Sequence, residues 1–323
     1  MKMSQKFIVT LSLSTLLTTG CALESSSPDM EALAAQNPVT TAATSTAKAA
    51  EVKPSLTTDA LGGGFFMISG PGGNIGVLIG ENGTFVIDDK FERNGPEIIS
   101  SLEALSDGPI KFVVNTHYHG DHSGSNAVMK TTGAMVVAHE NVRARMGKSF
   151  ENKIFGRTVN AVDASLWPDM TFKSQADFYM NGQSIHLIHT PSGHTDGDTI
   201  VYFKEGNIVH MGDNYFNGLF PYVDIDSGGT LQGMIAAQTR AIELSNATTQ
   251  IIPGHGAMAT KADLTKSRDM LVDIQSRVKT RMVAGASLND MVEAKILADY
   301  SDYASFINEE NMIRIAYYSL GGT

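Results

Sequence analysis

Seven side chains of two types, imidazole and carboxylate, stand where this sequence could do chemistry. His117, His119, Asp121 and His122 fall within Thr116-His117-Tyr118-His119-Gly120-Asp121-His122, directly after the expected strand 111–115. A strand sends alternate side chains to opposite faces. His117 and His119, two apart at the end of one, therefore leave the same face and can both reach one ion. Asp121 and His122 follow in the turn and can face a second ion. Further donors stand downstream in loops after apolar runs: His194 in Gly193-His194-Thr195-Asp196-Gly197, Asp213 in His210-Met211-Gly212-Asp213, and His255 in Pro253-Gly254-His255-Gly256. Glycine beside each permits a tight turn that pushes the next side chain into a cleft. Imidazole and carboxylate suit Zn2+ and are also compatible with iron or manganese. The other four histidines have plainer readings. His186, His189 and His210 lie in strands and His139 heads a helix, so packing or surface roles are expected of them.

These groups need a scaffold of strands ending in loops, and the sequence predicts one. Strands are expected at 65–68, 75–79 and 84–88, the first two joined by Gly70-Pro71-Gly72-Gly73 and the third entered through the Asn82-Gly83 turn. Pro96 opens a helix with Ile98, Ile99, Leu102 and Leu105 on one face. Strands follow at 111–115, 135–138, 177–180, 184–189, 199–203, 208–211 and 250–253. The last third turns helical. Leu231, Met234, Ile235 and Ile242 mark one helix. Thr260 with Asp263, and Ser287 with Asp290, read as capping boxes opening two more. Strands and helices are mixed and many strands form hairpins, which points to a layered α/β fold rather than a purely parallel sheet.

The ordered motifs His117-x-His119-x-Asp121-His122, Gly193-His194-Thr195, Gly212-Asp213 and Pro253-Gly254-His255-Gly256 resemble the metallo-β-lactamase superfamily from about residue 62 to 259. The resemblance implies a four-layer αβ/βα sandwich with metals at its rim and extra C-terminal helices. It assigns His117, His119 and His194 to one zinc ion and Asp121, His122 and His255 to a second, with Asp213 bridging both. It makes Asp88 the acidic residue that braces the histidine loop without ligating. It implies a hydrolase that cleaves an acyl bond (β-lactam, lactone or ester) with water activated between two zinc ions. Asp121 would orient that water or pass its proton to the leaving atom. Alternatives are a thioesterase of the hydroxyacylglutathione hydrolase type, an iron-dependent sulfur oxidoreductase, and a metal-holding envelope protein without catalysis. Asp213 and His122 separate the chain from the β-lactamase subclass that has Cys and a non-His residue there. Segment 214–222 also lacks the Lys or Arg that several β-lactamases keep for the drug's carboxylate. By analogy the hairpin carrying Phe65, Phe66 and Met67 is expected either to overhang the site as an apolar flap or to pack in the core. Tyr215, Phe216, Phe220 and Tyr222 are candidates for a pocket wall.

Composition limits the setting. Of 323 residues, 42% are hydrophobic and 18% charged, which fits a folded globular chain. The net charge of −10 argues against nucleic acid or an anionic membrane surface as the main partner and leaves a small-molecule substrate as the expectation. A single cysteine, Cys21, excludes an intramolecular disulfide and a Cys-rich structural zinc site. Lys2 and Lys6, the apolar stretch 7–17 and the small residues before Cys21 have the layout of a secretory signal over residues 1–20. The Gly20-Cys21 pair resembles a bacterial lipobox, so Cys21 is expected to carry a lipid on the periplasmic side of the cell envelope. Residues 21–57, rich in Ala, Ser and Thr, are expected to be a flexible linker. Residues 58–323 are expected to be the hydrolase domain, with 260–323 its helical extension.

Overall fold

Alternating side chains divide the first half of the chain between two cores. In a computed structural model of the protein, which describes residues 55–322, the segments β1 (Thr57–Gly62), β2 (Phe65–Ser69), β3 (Ile75–Leu78) and β4 (Thr84–Ile87) form successive antiparallel neighbours. α1 (Gly95–Leu105) carries the chain back to β5 (Ile110–Val114), parallel to β4. Two short helices, α2 (Gly120–Ser123) and α3 (Asn126–Thr131), lead to β6 (Met135–His139). α4 (Glu140–Met146) and a two-stranded ribbon, β7 (Phe150–Asn152) with β8 (Arg157–Val159), precede β9 (Met170–Phe172), which completes a seven-stranded sheet. Phe65, Met67, Phe85, Ile87, Val114 and Val137 face one side of that sheet; Ile68, Val77, Val86, Val113 and Val136 face the other, against Ile98 and Leu102 of α1 and Met129 of α3.

The second sheet comprises β10 (Gln175–Met180), β11 (Gln183–His189), β12 (Thr199–Phe203), β13 (Ile208–His210) and, after α5 (Leu231–Leu244), β14 (Gln250–Ile252). Its residues Ile185, Leu187, Val201, Phe203, Ile208 and Ile252 meet the inward face of the first sheet. Ile200, Val209 and Ile251 point outward, against Ala237 and Ala241 of α5 and Leu264 of α6 (Lys261–Val283). The order is helix, sheet, sheet, helix: the four-layer αβ/βα sandwich that the sequence motifs imply. α7 (Leu288–Glu293) and α8 (Glu309–Ser319) pack with α5 and α6 around Phe216, Phe220, Tyr222 and Val223, so the extra C-terminal helices are present and share a core with the main body. Both capping boxes form, at Thr260–Asp263 and Ser287–Asp290.

The structure decides between two readings of one hairpin and adds detail at the start of the described chain. Phe65 and Met67 are buried between the sheets, with the Phe65 ring edge-on to Phe203 at 5.0 Å, so they form core and no flap. Packing begins before residue 58: Leu56 is buried, and Glu97 accepts hydrogen bonds from Ser55 Oγ at 2.6 Å and Leu56 N at 2.9 Å. β1 escapes the apolar pattern because it is an edge strand, exposed along most of its length and held by backbone pairing to β2. The signal and Cys21, with most of the linker, lie outside the described residues. Among the described residues no helix is long and apolar enough to cross a membrane.

Candidate metal centre

The topology directs five loops to one rim. β4 and β5 are parallel, as are β13 and β14, and β11 runs in the same direction as β13 through two antiparallel pairings. Asp88 follows β4, the 116–122 run follows β5, and His194, Asp213 and His255 follow β11, β13 and β14. Backbone hydrogen bonds lock these ends together, from Asp88 N to Val114 O at 2.8 Å, Thr199 N to Thr116 O at 2.9 Å and Gly254 N to Gly212 O at 2.8 Å.

All seven predicted residues converge there, in two groups around Asp213. Its Oδ2 lies 3.7 Å from His117 Nε2 and 3.5 Å from His194 Nε2. His119 Nδ1 completes that group, 3.1 Å from His117 Nε2 and 2.8 Å from His194 Nε2. The other oxygen, Oδ1, lies 3.0 Å from His122 Nε2 and 3.4 Å from His255 Nε2; Asp121 Oδ2 is 3.4 Å from the same His255 nitrogen. Among the described residues, His117, His119, His194 and Asp213 form one set whose donor atoms are close enough to share an ion, and Asp121, His122 and His255 form another.

The donors themselves test whether cations fit. His194 Nδ1–H donates to the Tyr222 carbonyl at 2.8 Å, and His119 Nε2–H donates to Asp224 Oδ2 at 3.0 Å. Thr116 Oγ1 gives its proton to Asp88, so His117 Nδ1–H donates to that oxygen at 3.1 Å. Burial pushes His194 down to about 4 and His117 well below the usual imidazole range, so both are neutral. The inward nitrogens of His117 and His194 therefore carry lone pairs, and both lie about 3 Å from His119 Nδ1, so the three rings converge on one point where a cation can be shared. In the second group, burial would lower His255, but Asp213 and Asp121 raise it to about 9. Burial would raise Asp213, but His122, His255 and His117 pull it well below the carboxylate range. Positive charge is favoured there too. Asp213 Oδ1 is buried and accepts no well-directed hydrogen bond, an unsatisfied acceptor aimed at the gap between His122 and His255. The residues fit two metal ions.

Supporting groups hold the donors in place. Asp88, in a left-handed conformation at φ 64°, accepts from Thr116 N at 2.7 Å, Thr116 Oγ1 at 2.8 Å and His122 Nδ1 at 2.7 Å. These three bonds offset the cost of that backbone conformation. It touches His122 through Nδ1, the ring nitrogen that faces away from Asp213. Sequence reasoning missed Asp224, which accepts from both His119 and Tyr118 Oη, the latter at 2.6 Å. It also missed buried Lys90, whose Nζ donates to Gly73 O at 2.6 Å and which burial lowers to about 8. Neither has a local signal: Asp224 reaches His119 across 105 positions of chain. His139, His186, His189 and His210 stay outside both groups. His139 and His189 stack on each other at 3.7 Å, and His186 pairs with Asp177 at the surface.

The rim opens into a cavity of about 600 Å³ floored by His119, Asp121, Asp213 and His255. Phe216 and Tyr222 line it, whereas Tyr215 and Phe220 are buried in the core. Segment 214–222 has no Lys or Arg, but Arg145, Lys148 and Arg157 also line the cavity.

A family model described as the metallo-β-lactamase superfamily matches residues 69–255. A hydroxyacylglutathione hydrolase of Nitrosococcus oceani is 26% identical over 162 residues, 50% of this chain and 54% of that one. A metal-dependent hydrolase of Methylocella silvestris is 30% identical over 136 residues, 41% of this chain and 56% of that one. The chain thus spans about half the length of these curated relatives. Among solved structures, a metallo-β-lactamase from Pontibacter korlensis is similar with a TM-score of 0.57 at 18% identity, over 67% of this chain and 98% of that one. A sec-alkylsulfatase from a Pseudomonas species gives 0.62 at 17%, over 82% of this chain and 50% of that one. At such identities the structural likeness shows the fold alone. The family model, however, covers more than half of the sequence and includes all seven converging residues: the chain belongs to the metallo-β-lactamase superfamily.

Proposed function

We propose that this protein is a two-zinc hydrolase that cleaves an acyl bond in a small molecule, a β-lactam, lactone or ester. Asp213 carries the reading: one carboxylate directs its two oxygens at two separate groups of imidazole nitrogens, at the floor of an open cavity. His117, His119 and His194 with Asp213 would hold one ion, and Asp121, His122 and His255 with Asp213 the other. Bound there, the pair would supply Lewis acidity and bring the pKa of water close to neutrality. The chain's own groups position the rest. Asp121 is 23% exposed, towards the cavity, where its carboxylate can orient an attacking water and carry its proton to the leaving atom. Asp88, Asp224 and the Tyr222 carbonyl fix the ring orientations, which keeps the lone pairs converging.

Elemental analysis of purified protein tests the metal, with two zinc per chain expected; about one iron and no zinc would overturn the hydrolase reading. Activity is tested with a panel of lactones, esters, thioesters, phosphodiesters and nitrocefin on zinc-loaded protein. Asp121→Ala is expected to abolish turnover of the responsive substrate while circular dichroism shows the fold retained, and wild-type-like rates in that variant refute the role. The hydroxyacylglutathione hydrolase relatives favour one second reading, a thioesterase, for which the thioesters in the panel should be the best substrates. The signal-like N-terminus supports export and a lipid on Cys21. Palmitate labelling of wild type but not of Cys21→Ser is the expected result.

A further inference from the structure

A line of aromatic rings runs from the metal-binding residues to the mouth of the cavity. The Tyr222 ring stacks on His119 at 5.9 Å, Phe155 meets Tyr222 at 5.1 Å, and Phe306 meets Phe155 at 5.7 Å. Exposure rises along it: Tyr222 is buried, Phe155 half-buried, and Phe306 63% exposed. All four residues line the one cavity, with Leu219 and Val159 beside them and Val162, another large exposed apolar side chain, on the rim. Three separate parts of the chain build the line. Phe155 sits in the turn of the β7–β8 ribbon, Tyr222 in the loop after Asp213, and Phe306 in the C-terminal extension. Ribbon and loop are fastened together by Asn152 to Tyr222 Oη and by Lys153 N to Asp226 Oδ2 at 2.7 Å. Phe306 is 63% exposed, and it is not isolated: with Phe155, Tyr222 and Leu219 it lines one cavity that reaches His119, and a contiguous apolar surface of this kind marks a binding site. Two of the cavity's cations are engaged beside it: the Arg157 guanidinium lies over the Phe155 ring at 5.3 Å, and Arg145 is paired with Asp196 at 2.7 Å.

We infer that this line is the subsite for an extended apolar acyl group, so that the enzyme selects medium-chain acyl substrates over short ones, with Phe155 and Phe306 as specificity-determining residues. The inference rests on the acyl-hydrolase reading for its chemistry but not for its binding, which separates the two experimentally. The first measurement is kcat/KM for a p-nitrophenyl ester series from acetate to octanoate with the zinc-loaded full-length protein. Burying a methylene is worth roughly threefold, so if about half of the extra methylenes of octanoate are covered it should exceed acetate by about thirtyfold. Phe306→Ala should lower that ratio about fivefold, Phe155→Ala/Phe306→Ala about tenfold, and Phe306→Leu should restore much of it. A ratio near one in wild type, or a ratio that neither variant changes, overturns the inference. The second measurement is calorimetric binding of octanoate and acetate to the same proteins. Octanoate binding that depends on Phe306, in a protein that hydrolyses no ester, thioester, lactone or β-lactam, sinks the acyl-hydrolase reading and leaves the subsite standing; ester hydrolysis without chain-length preference does the reverse.

Discussion

His119 shows how the centre is set residue by residue. Its Nδ1 can face inward only because Nε2 is committed to Asp224, which also takes the Tyr118 hydroxyl. Asp224→Asn keeps the shape and removes the charge that makes His119 a better donor. The expected result is zinc affinity weaker by about 10- to 100-fold, read by competition with a chromophoric chelator, with the far-ultraviolet spectrum unchanged. Equal affinity would show that Asp224 does not tune His119. Gly73 makes a different point. Its N–H donates to Asp121 O at 3.1 Å and its carbonyl accepts from Lys90, so its backbone is pinned against the His122 ring, in the space a Cβ would need. Gly73→Ala should displace His122 and lower the amount of metal bound per chain, measured by equilibrium dialysis.

At the scale of elements, parallel strands do most of the positioning, because their carboxyl ends share an edge and each can deliver a loop to it. The helices behind the second sheet hold that edge in place. α6 starts at a capping box in which Thr260 Oγ1 accepts from Asp263 N at 3.3 Å and Asp263 Oδ2 accepts from Thr260 N at 2.9 Å. The start of α6 follows the His255 loop closely, through an isolated pairing of Ala259 with Ile251 of β14. Thr260→Ala should cost about 1 kcal/mol in urea unfolding, without loss of metal. A much larger cost would mean that the cap also holds the His255 loop.

For the whole molecule, the C-terminal helices complete a core that supports the site from behind. Ile313 of α8 is fully buried in the cluster containing Phe216, Phe220, Tyr222 and Val223, and Phe220 N donates to Tyr303 O at 2.8 Å. Tyr222 in turn holds His194 through its carbonyl. Ile313→Ala should therefore lose about 2–5 kcal/mol of stability, in one cooperative transition shared with the main body. Two separate unfolding transitions would show the extension to be an independent unit. Chelation of the metals should lower the melting temperature of wild type, because ions that bind only the folded chain stabilise it by mass action.

By itself the sequence determined what depends on a few consecutive residues. Two-residue spacing placed His117 and His119 on one face, glycines marked the turns at His194, Asp213 and His255, and both capping boxes were readable from side-chain types. The motifs in order were enough to imply the sandwich. Only the tertiary structure decided which atoms meet. It showed Asp213 facing two groups, Asp224 behind His119, Lys90 under Gly73, and Phe155 beside Phe306. It also revealed β1 and the β7–β8 ribbon, short or exposed segments that lack an apolar period because pairing partners, not a buried face, hold them. The division is physical. Spacing and residue type encode backbone geometry over one turn or one strand, whereas a contact across 105 positions depends on how whole layers pack, and no local pattern records that.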